Sequence, residues 1–292
     1  LDYTDKYYDQ DSVAFLKTWG GTWVDVLTDG QNPNDVENLW DDIRNYITGN
    51  DMSIQANYEY VKDRYNVGSL IDYFILNSYI VNSDWLNWNT AWWRGLKEDG
   101  DKKKWRYALW DMDNTFDHGA NYTGIPNDGP DADPCDPESL GNIGGQGHIP
   151  IWNALIENEE FFDNYINRWS NLSNSYLSCE FMIAHLDSLI GIIEPEMQDQ
   201  IDTWGGTYNE WMDNVNSMKE FMNERCTFLN ASIVDCYDVE GPYNVNVVIE
   251  GSGEVNFNNF FNVNESNTPL NGEFFGGIDI SFNVTDGNFS YF

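Results

Sequence analysis

Between residues 69 and 113 the hydrophobic pattern changes period abruptly, which limits the chain to folds that combine a buried helix with paired strands. From Ser69 to Val81 the apolar residues Leu70, Ile71, Tyr73, Phe74, Ile75, Leu76, Tyr79 and Ile80 follow helical spacing. They cover most sides, so the spacing predicts a buried helix, opened by a capping-box-like pair of Ser69 and Asp72. Two short aromatic-rich runs follow, Thr90 to Lys97 and Lys104 to Trp110, separated by Glu98, Asp99, Gly100 and Asp101. They predict a β-hairpin whose second strand delivers Asp111 at its end.

The flanking sequence is mostly helical. Residues 35–50 place Val36, Leu39, Trp40, Ile43, Tyr46 and Ile47 at amphipathic spacing, and helices are expected again at 151–156, 161–177, 181–201 and 209–228. Residues 119–149 are rich in Gly, Pro, Asn and Asp and predict a long irregular loop. Past Cys236 the pattern alternates, as in Tyr243 to Ile249 and Ile278 to Val284. The fold class expected is therefore α+β, mainly helical. A domain over 1–240 is followed by a small antiparallel β module over 241–292 whose last strands read as cut off at Phe292.

With hydrophobic residues at 41% and aromatics at 16%, the chain can build a core. Its 14 Lys and Arg stand against 49 Asp and Glu, a net charge of -35. Such a surface repels phosphate backbones and anionic lipid, which argues against nucleic-acid and membrane-surface partners. No run of about 18 apolar residues is present, so no membrane insertion is expected. Cys135, Cys179, Cys226 and Cys236 lack zinc-site spacing and predict two disulfides, Cys226 with Cys236 being one expected pair, in an extracellular or cell-surface setting. The first residues show neither a start Met nor a signal peptide, and a fragment is expected.

The chemistry-bearing residues fall in the segment where the pattern changes. Their order is helix, Asp84, Asn89 five residues on, strand, turn, strand, then Asp111 and Asp113. Protein kinases set a catalytic Asp five residues before a metal-binding Asn, then a hairpin, then a second metal-binding Asp. One carboxylate must accept or orient the proton of the attacking hydroxyl, while an Asn oxygen and another carboxylate hold Mg²⁺ against the phosphates. Bland readings of the same residues exist. Asp84 and Asn89 also suit a loop cap and a turn bond. Asp111 and Asp113 resist such a reading, because paired carboxylates repel unless a cation or proton separates them. His118, His148 and His185 show no metal-triad spacing and read as structural or surface residues.

The run Asn82-Ser-Asp-Trp-Leu-Asn-Trp-Asn-Thr-Ala-Trp-Trp-Arg94, with Lys104-Trp-Arg-Tyr-Ala-Leu-Trp-Asp-Met-Asp-Asn-Thr-Phe116, resembles the core of the CotH spore-coat kinase family. Ile71 to Ile75 and Asn57 to Val61 resemble it too, so the likeness covers roughly 20–235. It implies a protein-kinase-like C-terminal lobe that uses ATP and Mg²⁺ or Mn²⁺ to phosphorylate Ser or Thr hydroxyls of secreted protein substrates. Carried over, Asp84 is the catalytic Asp, Asn89 a metal ligand and Asp111 the principal metal-binding Asp. Asp113, expected on the same strand face, shares or replaces that role. Trp105, on the same face, either stacks on adenine or is a core aromatic.

One departure stands out. Kinases neutralise the α/β-phosphates with a strand Lys behind a Gly-rich loop, and none of Lys6, Lys17 and Lys62 is expected to stand so, which predicts a missing N-lobe. The alternative function is a non-catalytic adhesion or binding protein on a kinase-like scaffold. A metal-dependent hydrolase lacks the required cluster of water-activating groups.

Overall fold

The structure, a computed structural model, describes residues 2–25, 30–97 and 103–286. It forms two compact units, Leu1–Phe162 and Asp163–Phe292. The units part at Phe162, and the C-terminal group of strands begins at Glu240.

The first unit opens with α1 (Asp2–Tyr8), β1 (Val13–Thr18) and β2 (Thr22–Asp25), followed by α2 (Pro33–Gly49), α3 (Gln55–Lys62) and α4 (Val67–Tyr79). β3 (Thr90–Gly95) and β4 (Arg106–Ala108) complete an antiparallel sheet of order β2-β1-β3-β4. The predicted strands therefore pair, with Ala91 opposite Ala108 and Trp93 opposite Arg106. The predicted Asp99-Gly100 turn lies outside the described residues. β1 was not anticipated, and it puts Lys17 on a strand directly beside β3, with Lys17 opposite Ala91.

Local chemistry fixes the helices. Asn32 caps α2 and Pro33 occupies its first turn, where a missing N–H costs nothing. Val36, Trp40, Ile43 and Ile47 are the buried stripe. α4 starts earlier than the sequence suggests. Its cap is Asn66, whose Oδ1 accepts from the Ser69 amide at 3.1 Å, and the Ser69 hydroxyl instead accepts from the Tyr107 amide at 3.0 Å. The expected Ser69–Asp72 capping box is thus replaced by an Asn cap that leaves Ser69 free to join helix to hairpin.

The core of this unit is aromatic. Trp40 lies 5.3 Å from both Trp92 and Trp105, 6.0 Å from Tyr65 and 5.6 Å from His148, and its indole donates to the Gln146 carbonyl at 3.0 Å. Phe74 stacks on Trp152 at 4.2 Å from α5 (His148–Leu155), and it meets Trp85 edge-on at 5.2 Å. His148 is buried, with Nδ1 2.7 Å from the Tyr107 hydroxyl, and burial, aided by the Arg44 charge, lowers its pKa to about 3. It is a neutral core residue.

In the second unit, α6 (Glu159–Ser173), which begins at the end of the first, continues into α7 (Cys179–Ile193), α8 (Met197–Trp204) and α9 (Tyr208–Tyr237). The single helix expected over 181–201 is two, parted at a 3₁₀ turn that contains Pro195. Proline has no amide to continue the ladder. Strands β5 (Glu240–Val247), β6 (Glu254–Phe257), β7 (Phe261–Asn264), β8 (Leu270–Gly276) and β9 (Phe282–Asp286) form a β5-β8 pair and a β7-β6-β9 sheet. Val247, Phe257, Val263 and Phe274 pack between them. The strands are tied to the turn that follows α6: Asn174 Nδ2 donates to the Glu273 carbonyl at 2.6 Å, and Asn174 Oδ1 accepts from the Glu273 amide at 2.9 Å.

All four cysteines are disulfide-bonded, as two disulfides require. The expected Cys226–Cys236 pair is not formed, because Cys226 bonds to Cys179 and so links α7 to α9. Both Cys226 and Cys236 lie on α9, where ten residues of helix separate them by about 15 Å, far beyond disulfide reach.

Candidate functional site

The loop from α4 to β3 carries Asp84 and Asn89, and its shape is held from several directions. Asn82 is buried, and its Oδ1 accepts from the Asp84 amide at 2.9 Å while its Nδ2 donates to Asn77 Oδ1 at 2.8 Å. Thr123 Oγ1 accepts from the Trp85 amide and donates to the Trp85 carbonyl, both at 2.9 Å. Thr90 Oγ1 accepts from the Leu86 amide at 2.9 Å. Trp85 is 1% exposed and anchors the loop against Phe74 and Tyr73. The Trp of the Asp-Trp motif is therefore a fixing point that leaves Asp84 half-buried at the surface.

Two glycines let other segments close on this loop. Gly20 has φ +67°, donates its amide to the Asn87 carbonyl at 3.1 Å, and lies where a Cβ would meet the Trp88 ring at 2.9 Å. Gly144 has φ +73°, and a Cβ there would stand 2.7 Å from Asn87 Cα and 3.0 Å from the Leu86 carbonyl oxygen. Gly144→Ala is expected to lower any activity of the Asp84 loop about tenfold or more, since the backbone it meets cannot swing aside and misplacement by an ångström can cost about 10² in rate. Steady-state kinetics beside Gly141→Ala, where a Cβ meets nothing within 4 Å although φ is also positive, separates the clash from the strain of the conformation.

Asn89 Nδ2 donates to Asp84 Oδ2 at 2.8 Å. Asp111 and Asp113 come to the same place from the segment after β4. Burial first, and then the charges of Asp111 and Asp113, raise the Asp84 carboxyl above the usual carboxylate range, while the Asn89 bond opposes them. Asp111 is raised as well, by desolvation and then by the charge and contact of Asp113. Four of the five predicted site residues are thus brought together electrostatically. The route differs from expectation: β4 ends at Ala108, and Asp111 sits past it with φ +50°, so strand alternation does not set its direction. Asn89 shares this left-handed conformation at φ +47°. Asn and Asp tolerate it better than other residues, and such backbone clusters at functional sites.

Trp105 is the exception. It is 0% exposed beside Trp40 and offers no surface on which adenine could lie, so the core reading of this residue holds. The exposed aromatic next to Asp111 is Trp110, 44% exposed, with Lys17 Nζ 5.3 Å from its ring centroid and 2.8 Å from Asp25 Oδ2. Sequence reasoning passed over Asn82, Thr123, Gly144 and Trp110. Thr123 and Gly144 lie in the irregular loop, where no periodicity marks a contact. A cavity of about 880 Å³ lies alongside α1, α4 and the sheet, lined by Tyr8, Phe15, Asp72, Trp93, Arg106 and Tyr107 among others, and it includes none of the predicted residues.

The donors at the site are carboxylate and amide oxygens, the hard set suited to Mg²⁺ or Mn²⁺ rather than to softer ions. Among the described residues no three His, Cys, Asp or Glu side chains form a ready cage for a metal ion. No helix of the described residues is long and apolar enough to cross a membrane.

Neither a curated protein nor a solved structure matches the chain. A family model described as CotH kinase protein matches residues 6–229. As that match spans more than half of the sequence and includes every residue of the site, the chain belongs to the CotH kinase family.

Proposed function

We propose that the protein is an ATP- and divalent-metal-dependent kinase that phosphorylates Ser or Thr hydroxyls of secreted or surface proteins, with Asp84, Asn89, Asp111 and Asp113 as its catalytic group and a protein-kinase-like C-lobe as its scaffold. The observation that carries this reading is that Asp84, held by Asn89 at 2.8 Å, feels the charges of both Asp111 and Asp113 from the segment after β4. Three adjacent carboxylates are unfavourable alone and favourable around a cation.

Asp111, Asp113 and the Asn89 side-chain oxygen would hold the metal. Mg²⁺ is commonly held by one or two carboxylates together with substrate phosphates, so a cage of three is not required. When bound, it would supply positive charge against the phosphoryl oxygens. Asp84 lies beside this pair, where its carboxylate can accept the proton of a substrate hydroxyl as the oxygen attacks phosphorus. The hydrogen bond from Asn89 fixes the orientation of Asp84. Lys17, on β1 with its ammonium over Trp110 and paired with Asp25, would be the basic side chain offered to a nucleotide phosphate as it enters so acidic a surface. The two disulfides fit secretion, since such bonds persist in oxidising compartments.

Labelled ATP with Mg²⁺ or Mn²⁺ tests the reading directly. Transfer of label to protein hydroxyls that stops on chelation is expected. No metal-dependent nucleotide binding under any condition would instead favour a non-catalytic scaffold.

A further inference from the structure

A second cavity, of about 690 Å³, lies in the Asp163–Phe292 unit between the turn that joins α6 to α7 and the start of β7. We propose that it binds the ammonium side chain of a basic peptide segment. The site is independent of the carboxylate group described above.

Its walls are aromatic rings set at steep angles to one another. Tyr176 meets Phe181 edge-on at 5.5 Å and Phe260 at 6.3 Å, and Phe260 meets Phe261 at 4.7 Å. Tyr176 and Phe181 remain 58% and 41% exposed, although each could have been buried in a chain with this much apolar material. The turn that presents them is ordered: Ser178 Oγ donates to the Ser175 carbonyl at 2.8 Å and caps α7 by accepting from the Phe181 amide at 3.3 Å.

Charge selects the occupant. The faces of aromatic rings carry the negative part of the quadrupole, and a cage of such faces recognises ammonium groups. Phe260 already takes a cation, since the Arg168 guanidinium lies 4.9 Å from its centroid. Glu180 contributes a carboxylate to the lining, and no Lys or Arg lines the cavity. The α7 N-terminus adds about half a positive charge, which the full charge of Glu180 outweighs. The net charge of -35 draws cations toward the whole surface, and the cage gives one of them a specific seat.

The test is a titration of the intact protein with a fluorescent lysine-rich peptide at physiological ionic strength, beside the same peptide with every lysine acetylated. Saturable binding of the first and none of the second is expected. The Tyr176→Ala, Phe181→Ala double variant should weaken binding about tenfold, and Glu180→Gln, which keeps the shape and removes only the charge, about threefold. Glu220→Gln, at an exposed position elsewhere, should change it little. Equal affinity in wild type and both cavity variants would show that general acidity alone attracts the peptide and overturn the proposal. Equal binding of the acetylated peptide, or no binding at all, overturns it too.

Discussion

Asp84→Asn is expected to cut the rate of phosphoryl transfer by about 10²–10⁴-fold, the span of a lost general base, while leaving the metal requirement nearly unchanged. The substitution preserves size, and the backbone bond from the Asp84 amide to Asn82 Oδ1 does not depend on the side chain. The capacity to take a proton is removed together with one negative charge, while the Asp111 and Asp113 carboxylates that would hold the metal are kept. Asp111→Asn should behave differently. Loss of a charged metal ligand costs several kcal/mol at the phosphoryl group, which corresponds to a rate loss of about 10³-fold, and part of it should be recovered at high Mn²⁺. Initial rates measured against metal and ATP concentration separate the two patterns. Should Asp84→Asn instead shift the metal requirement at constant maximal rate, Asp84 is a ligand and the assigned roles must be exchanged. Both variants behaving like wild type would remove the chemistry from this site altogether.

The parts of this site that were legible in the sequence are those set by local pattern. Helical spacing from Leu70 to Ile80 and the two aromatic-rich runs after Asn89 report contacts between near neighbours in the chain, and both elements form. The family resemblance of the Asp84 and Asp111 segments is likewise a matter of consecutive residues, and it is what the family match supports. Non-local partners leave no such trace. β1 pairs with β3 across more than seventy residues, so nothing near Lys17 shows that it lies beside Ala91. Thr123 holds Trp85 from a loop 38 residues away. The left-handed turn at Asp111 is equally silent, because an Asp before Met and Asp reads the same whether it ends a strand or bends away from it. Trp105 was ambiguous for a physical reason: a tryptophan beside a polar motif suits a binding face or a core, and only the position of Trp40 decides between them. Pro195, by contrast, was a readable break that helical spacing on both sides concealed.

Trp40→Ala is expected to destabilise the first unit by about 3–5 kcal/mol, lowering its melting temperature by roughly 10 °C. The ring is 2% exposed and touches aromatic side chains from β3, from Trp105 just before β4 and from α5, so its removal leaves a cavity that large rigid neighbours cannot fill. The Gln146 carbonyl also loses its indole donor in a buried setting. That carbonyl stands two residues from Gly144, whose backbone rests on the Asp84 loop, so activity should fall at temperatures where the unit is still folded. Calorimetry resolves the two compact units if they melt separately, and the lowered transition should be that of the Leu1–Phe162 unit. Trp110→Ala provides the comparison. Its ring is 44% exposed, and exposed positions of this kind usually change stability by about 0.5 kcal/mol or less. A melting shift for Trp40→Ala no greater than that for Trp110→Ala would show that the aromatic cluster is not the support of the site. A large shift with unchanged activity per folded molecule would show that the loop holding Asp84 is fixed by Thr123 and Asn82 without help from Gln146.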